Sequence, residues 1–116
     1  MWAMKTLTVT RPWGQFDQFT HNETTTVKII TVRPSESLSL QSHTKRSEFW
    51  RILNGSGVVE IENKKYDAMV GSEYNVPVNT KHRAIAGEAG LVFLEIDEGD
   101  FDEYDEIRYE DKYGRA

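Results

Sequence analysis

Nine short runs rich in Val, Ile, Thr, Phe and Tyr, separated by clusters of Gly, Pro, Asn and Ser, govern what this chain can fold into. They lie at 15–20, 26–34, 37–42, 48–53, 57–62, 64–70, 73–77, 82–87 and 90–97. An amphipathic helix needs apolar residues every three to four positions over a dozen or more residues, and no long window offers that period. The chain therefore reads as all-β, with a strand spacing that suits a sandwich or small barrel. Two connections carry turn chemistry and read as hairpins: NGSG at 54–57, with Gly55 and Gly57 for positive φ, and ENKK at 62–65, with Asn63.

At 116 residues the chain is expected to be one domain, with an N-terminal segment at 1–10, a barrel at 11–97 and a tail at 98–116. A separate nucleotide-binding domain does not fit in this length. With no cysteine, disulfides, thiolate ligands and a cysteine nucleophile are excluded. The opening MWAMKTLTVTRPWG lacks the pattern of a signal peptide, and no function is assigned to MWAM. Nor does any window approach the ~18 apolar residues of a membrane span, so a soluble, cytoplasmic protein is expected. The formal charge of −5 is concentrated at the end, where residues 97–116 carry 3 Lys+Arg against 9 Asp+Glu. A near-neutral body without a basic stripe gives no footprint for nucleic acid. Phe101, Tyr104, Ile107, Tyr109 and Tyr113 argue that the tail packs back on the barrel.

The stretch QSHTKRSEFW at 41–50 carries the chemistry. On a strand Gln41 and His43 project to one face, with Ser37 and Ser39, while Leu38 and Leu40 point the other way. Glu48 has the opposite parity, so a hairpin at TKRS is needed to bring it beside His43. After the turn at Pro77–Asn79, His82 is expected to enter the barrel from another wall. One amide oxygen, two imidazoles and one carboxylate suit zinc first, then manganese, iron, cobalt or nickel. With a single carboxylate the ion keeps residual positive charge, which favours a ligand that becomes anionic at oxygen.

The blocks PSESLSLQSHTKRSEFWRILNGSG and GSEYNVPVNTKHRAIAG resemble the two cupin motifs, and with RPWG at 11–14 and IRYEDKYGR at 107–115 they resemble a narrower family. That family is the C-terminal cupin of the type II mannose-6-phosphate isomerases, which in relatives is fused to a mannose-1-phosphate guanylyltransferase. The resemblance implies a jelly-roll β-barrel with a divalent metal held by Gln41, His43, Glu48 and His82. It implies interconversion of mannose 6-phosphate and fructose 6-phosphate through an enediol, and no GDP-mannose synthesis by this chain alone. The phosphate needs a cation, for which Arg11, Arg46, Arg83 and Arg115 are the candidates, Arg115 foremost. Glu95 and Lys45 are the candidates for proton transfer. Thr44, Lys45 and Phe49 stand where many relatives carry histidine, and Asn79 where they carry glycine; Asn tolerates positive φ. The alternative function is a non-catalytic module binding a sugar or sugar phosphate in polysaccharide precursor metabolism, and an iron-dependent oxygenase ranks third. Apolar residues on both faces of TTVKIITV and EFWRIL predict a homodimer.

Overall fold

The computed structural model describes residues 6–19, 24–100, 102 and 104–116. Their strands are β1 Leu7–Arg11, β2 Gly14–Gln18, β3 Thr25–Val32, β4 Leu40–Ser42, β5 Arg46–Ile61, β6 Lys64–Ala68, β7 Glu73–Val76, β8 His82–Gly99 and β9 Ile107–Glu110. No helix long and apolar enough to cross a membrane occurs among the described residues.

Two long strands, β5 and β8, pass through both halves of the barrel. Residues 46–55 of β5 pair with 91–99 of β8, in a sheet continued by β3, β2 and β1 on one side and β7 on the other. Residues 57–61 of β5 pair with 82–86 of β8, in a second sheet continued by β6 and by β4 and β9. Every pairing is antiparallel, and the two sheets face each other as the cupin jelly roll.

The expected hairpin at NGSG is instead the corner where β5 crosses between sheets, marked by register shifts at Ile52/Asn54 and Gly55/Gly57. Close backbone approach, not chain reversal, demands the glycines. A Cβ on Gly55 would lie 2.0 Å from the Gly90 carbonyl oxygen, and one on Gly57 would lie 2.1 Å from that of Ile85. Gly55 has φ +81°, whereas Gly57, expected at positive φ, is not found there. The hairpin at ENKK is present: Glu62 and Asn63, at φ 49° and 67°, close the β5–β6 turn in the conformation that two-residue hairpins favour. The runs expected at 48–53 and 57–62 are thus one strand, as are those at 82–87 and 90–97.

The inward positions change character along each strand of the first sheet. In β3, Val32 and Ile30 give way to Lys28 and Thr26; in β8, Leu91 and Phe93 to Glu95 and Asp97; in β5, Ile52 and Trp50 to Glu48 and Arg46. The registers Ile30↔Phe93, Lys28↔Glu95 and Glu48↔Asp97 align these changes. One end of the barrel is therefore an apolar plug, completed by Trp13, Phe16, Leu38, Val59, Ala84 and Ala86. The other end is polar and buried, an arrangement that stands only if its polar groups are satisfied by one another or by a ligand.

The tail docks as expected, by other means. β9 adds to the edge of β4, Tyr109 shares a hydrogen bond with Ser42 at 2.8 Å, Lys112 donates to the Ser35 carbonyl, and Tyr113 packs on the core and donates to Glu36. Tyr104 is 94% exposed and Ile107 50%, so neither is an apolar anchor. Phe101 lies outside the described residues.

Candidate metal centre

Gln41 and His82 are register partners on adjacent strands, so His82 enters beside Gln41 in the same sheet and not from another wall. His43 follows β4 directly, and its carbonyl accepts a 2.7 Å hydrogen bond from the Asn79 amide. Asn79 holds φ +57°, so the asparagine supplies the positive φ expected of that turn. The chain bends at 44–45 and enters β5, where Glu48 faces inward. No ladder joins β4 to β5 among the described residues, so TKRS is a bend between sheets and not a hairpin. The strand parity expected before Gln41 also fails: Leu38 and Ser39 both line the cavity, because regular pairing begins only at Leu40.

The hydrogen bonds define the imidazoles. His43 Nδ1 lies 2.7 Å from the Asp105 carbonyl oxygen, and His82 Nδ1 lies 2.8 Å from that of Thr80. A carbonyl only accepts, so each ring donates from Nδ1 and in its neutral form presents a lone pair at Nε2. His43 Nε2 is 2.9 Å and His82 Nε2 3.6 Å from the same oxygen, Glu48 Oε2. Ligand atoms of His43, Glu48 and His82 all fall within 4.8 Å of one another. Gln41 Oε1 and His82 Nε2 are buried without a hydrogen-bond partner. Arg46 Nη2, 3.2 Å from His43 Nε2, answers one of these lone pairs, while His82 Nε2 and Gln41 Oε1 remain without a donor beside the Glu48 carboxylate, and the donor set fits a divalent ion.

The electrostatics agree. Burial pushes the Glu48 carboxyl upward, but positive charge at His82 and a hydrogen bond donated by a protonated His43 ring override it and hold the group well below the usual carboxylate range, so Glu48 meets, as a carboxylate, whichever cation the imidazoles hold, proton or metal ion. Burial presses His82 down, and the charge of Glu48 more than reverses this, so its pKa is raised. The field that favours a proton on His82 favours a metal ion there. Trp50 Nε1 donates to Glu48 Oε1 at 2.9 Å and orients the carboxylate. Deeper in, burial and then the Glu48 charge push Glu95 up to about 7. Burial, reinforced by Glu95 and Glu48, pushes Asp97 up to about 11.

Gln41, His43, Arg46, Glu48, Glu95, Arg11 and Arg115 all line one cavity of about 110 Å³, with Lys28, Glu106 and Arg108. Asp111 holds the Arg115 guanidinium through Nε at 2.8 Å and Nη2 at 3.1 Å. Lys45 and Arg83 are not brought to the cavity. Asp105 captures the Lys45 amide at 2.9 Å and leaves the side chain in solvent. Arg83, one residue past His82, has the outward parity and is tied to Glu60 and Glu110, each at 3.0 Å. Thr44 is exposed and Phe49 has the parity opposite to Glu48, so the residues that replace histidines do not face the metal centre.

Sequence reasoning missed Lys28, Asp97, Asp105 and Arg108. Lys28 shares inward parity with Ile30 and Val32, and Asp97 with Phe93 and Glu95, a signal present in the alternation itself. Arg108 is placed by its register with Gln41, which no local pattern reveals. Asp105 accepts from the Thr44 amide at 3.0 Å, from Thr44 Oγ1 at 2.6 Å and from the Lys45 amide. Partial burial pushes its carboxyl up, but these bonds prevail and hold it at about 2.

Comparison with known proteins places these features. Mannose-1-phosphate guanylyltransferase of Salmonella montevideo is 36% identical over 109 residues, covering 92% of this chain and 23% of the relative. The alginate biosynthesis protein AlgA of Pseudomonas aeruginosa is 36% identical over 110 residues, covering 93% and 23%. The chain thus spans about a quarter of the length of these curated relatives. Among solved structures, the capsular polysaccharide assembling protein CapF from Staphylococcus aureus superposes with a TM-score of 0.78 at 18% identity, over 92% of this chain and 35% of that one. Residues 3–111 match the family described as Mannose-6-phosphate isomerase C-terminal, and the chain belongs to that family.

Proposed function

We propose that this domain interconverts mannose 6-phosphate and fructose 6-phosphate, with a divalent ion, zinc first among the candidates, held by Gln41, His43, Glu48 and His82. The observation that carries the reading is the convergence of two imidazole Nε2 atoms on one Glu48 oxygen, next to the partnerless Gln41 Oε1, in a cavity that also presents Glu95 and four arginines. The ion, when bound, supplies a Lewis acid for the sugar oxygens.

The remaining work falls to side chains. Glu95 faces the cavity beside its register partner Lys28, and it moves the proton between C1 and C2 as the enediol forms and collapses. Lys28 counteracts the upward push on Glu95 and keeps the carboxylate available as a base. Arg115, presented by Asp111, and Arg11 at the same mouth hold the phosphate, where a planar fork meets phosphate oxygens. Arg46, buried beside His43 and Glu48, faces the sugar end. A binding-only module is the weaker reading, because Thr44, Lys45 and Phe49, whose lost imidazoles motivated it, do not face the metal centre.

The deciding assay follows fructose 6-phosphate formed from mannose 6-phosphate by the zinc-, manganese- or cobalt-loaded protein. Turnover that a chelator abolishes, and that Glu48→Ala lacks, supports the isomerase; saturable binding without product overturns it. A homodimer is part of the same proposal, supported by the outward contacts Val27↔Ile96, Ile29↔Leu94 and Phe49↔Ile96, which join three strands into one apolar face. Sedimentation at the 13.4 kDa monomer mass at micromolar concentration would count against it.

A further inference from the structure

We infer that Asp105 is a positioning residue of the metal centre, so that docking of the acidic tail and the affinity for the ion are one coupled equilibrium. The inference rests on the proposed metal centre and extends it to a segment outside the barrel strands.

Three contacts carry it. The main chain of Asp105 accepts from His43 Nδ1 at 2.7 Å, which fixes the ring with its Nε2 lone pair toward Glu48. The side chain of Asp105 accepts three further hydrogen bonds, from the Thr44 amide, Thr44 Oγ1 and the Lys45 amide. These are the residues of the bend between His43 and β5, so one tail residue sets both the orientation of a ligand and the path of the chain that leads to Glu48. A second tail residue adds to the clasp, since the Asp102 carbonyl accepts from Arg46 Nη1 at 3.2 Å.

Each imidazole that binds a metal needs its second nitrogen anchored, and such anchors are worth 10–100-fold in affinity. His82 has its anchor two residues away, at Thr80. The anchor of His43 is 62 residues distant, in the segment that leads into β9. By linkage, whatever tightens the tail tightens the ion, and the ion tightens the tail to the same degree. Thr44 takes part in this: its hydroxyl faces Asp105 and not the cavity.

The test is zinc titration of the full chain by competition with a chromophoric chelator, together with the long-range ¹H–¹⁵N spectrum of His43 in zinc-free protein. Asp105→Ala should weaken zinc binding about 10–100-fold and let the Nε2-protonated tautomer of His43 appear. Asp105→Asn, which keeps one acceptor, should recover part of the loss. Glu73→Ala removes an exposed acid of β7 that pairs with Arg51, outside both the tail and the cavity, and should leave zinc affinity unchanged. If the unmodified chain binds no zinc or other divalent ion, the metal centre itself is refuted. If it binds zinc and Asp105→Ala binds equally well with the same His43 tautomer, the positioning role is refuted while the centre stands. Should Asp105→Ala not fold, Thr44→Val removes one bond of the clasp, and unchanged affinity there overturns the inference.

Discussion

Replacing Trp50 with Phe separates the two roles of the residue that joins the apolar plug to the polar end. Trp50 is 0% exposed, its ring centroid lies 4.5 Å from that of Phe93, and its Nε1 donates to Glu48 Oε1 at 2.9 Å. Phe keeps an aromatic ring in the plug and deletes the donor. A hydrogen bond to an ionised acceptor is worth about 1.5–3 kcal/mol. The smaller ring leaves roughly 40 Å³ unfilled, which at about 24 cal/mol per Å³ adds about 1 kcal/mol. The sum, about 3 kcal/mol, is a large share of the ~5–15 kcal/mol that holds a small domain together. It corresponds to a melting temperature lower by about 10–15 °C.

Urea unfolding with a chelator present should show this loss as a lower midpoint with the slope unchanged. Zinc affinity should fall by about tenfold as well, because the indole orients the ligand carboxylate. Phe93→Leu is the comparison: it opens a cavity against the same Trp50 ring and leaves the Glu48 hydrogen bond in place. A Trp50→Phe protein within about 1 kcal/mol of the parent, where the lost bond alone costs more, would show that Glu48 does not depend on the indole. Equal zinc affinity in Trp50→Phe and Phe93→Leu would refute the orienting role.

Other expectations follow from the same contacts. Glu48→Gln should abolish both metal binding and turnover, whereas Lys45→Ala and Arg83→Ala should leave kcat and KM unchanged, as steady-state kinetics on the metal-loaded proteins will show. Gly57→Ala places a Cβ 2.1 Å from the Ile85 carbonyl oxygen and should cost about 3 kcal/mol or more in urea unfolding; a neutral effect would contradict the corner geometry. The hydrogen bonds from Arg115 hold the Asp111 carboxyl below its ordinary value, with burial opposing them. A depressed folded-state pKa stabilises fully above the ordinary carboxylate range and is lost as pH falls through the folded value. The Arg115 Nε–H resonance should therefore shift on acidification below pH 4, and Asp111→Asn should abolish that shift.

Much of the barrel was legible because strand alternation is local. The inward set of β3, β5 and β8 can be written down from residue parity once the strands are placed, and Trp50 and Ile52 fall in the core as their spacing requires. The two motif blocks also identified the four side chains that the fold gathers at the polar end. What escaped was non-local. Gly55 and Gly57 suggest a reversal to any reader of NGSG, because the carbonyls of Ile85 and Gly90 that forbid a side chain there lie some thirty residues away. The parity of Leu38 and Ser39 failed because pairing is irregular before Leu40, and no residue type signals where a ladder begins. Arg83 was read by its charge; its neighbour His82 already fixed it on the outer face.

The polar end also limits what it can hold. Glu48, Glu95 and Asp97 come within 4.8 Å of one another, close enough to suggest a second ion. Lys28 and Arg46 are buried among the same groups, with Arg46 Nε 3.5 Å from Glu48 Oε2 and 3.9 Å from Asp97 Oδ1. Three carboxylates facing two fixed cations leave one net negative charge, and a proton retained on Asp97, pushed up to about 11, removes even that. One divalent ion at the imidazoles then makes the chamber positive overall, while a second would have to enter against that charge at short range in a medium of low dielectric. On the proposed reading, the chamber suits a single ion with an anionic ligand opposite it, the charge state of a sugar oxygen as its proton leaves. Metal analysis of the purified protein should return one ion per chain, and replacing Lys28 with Met, which deletes one of the two fixed cations, should raise the capacity toward two. A stoichiometry of two in the unmodified protein would show that the buried cations do not set this limit.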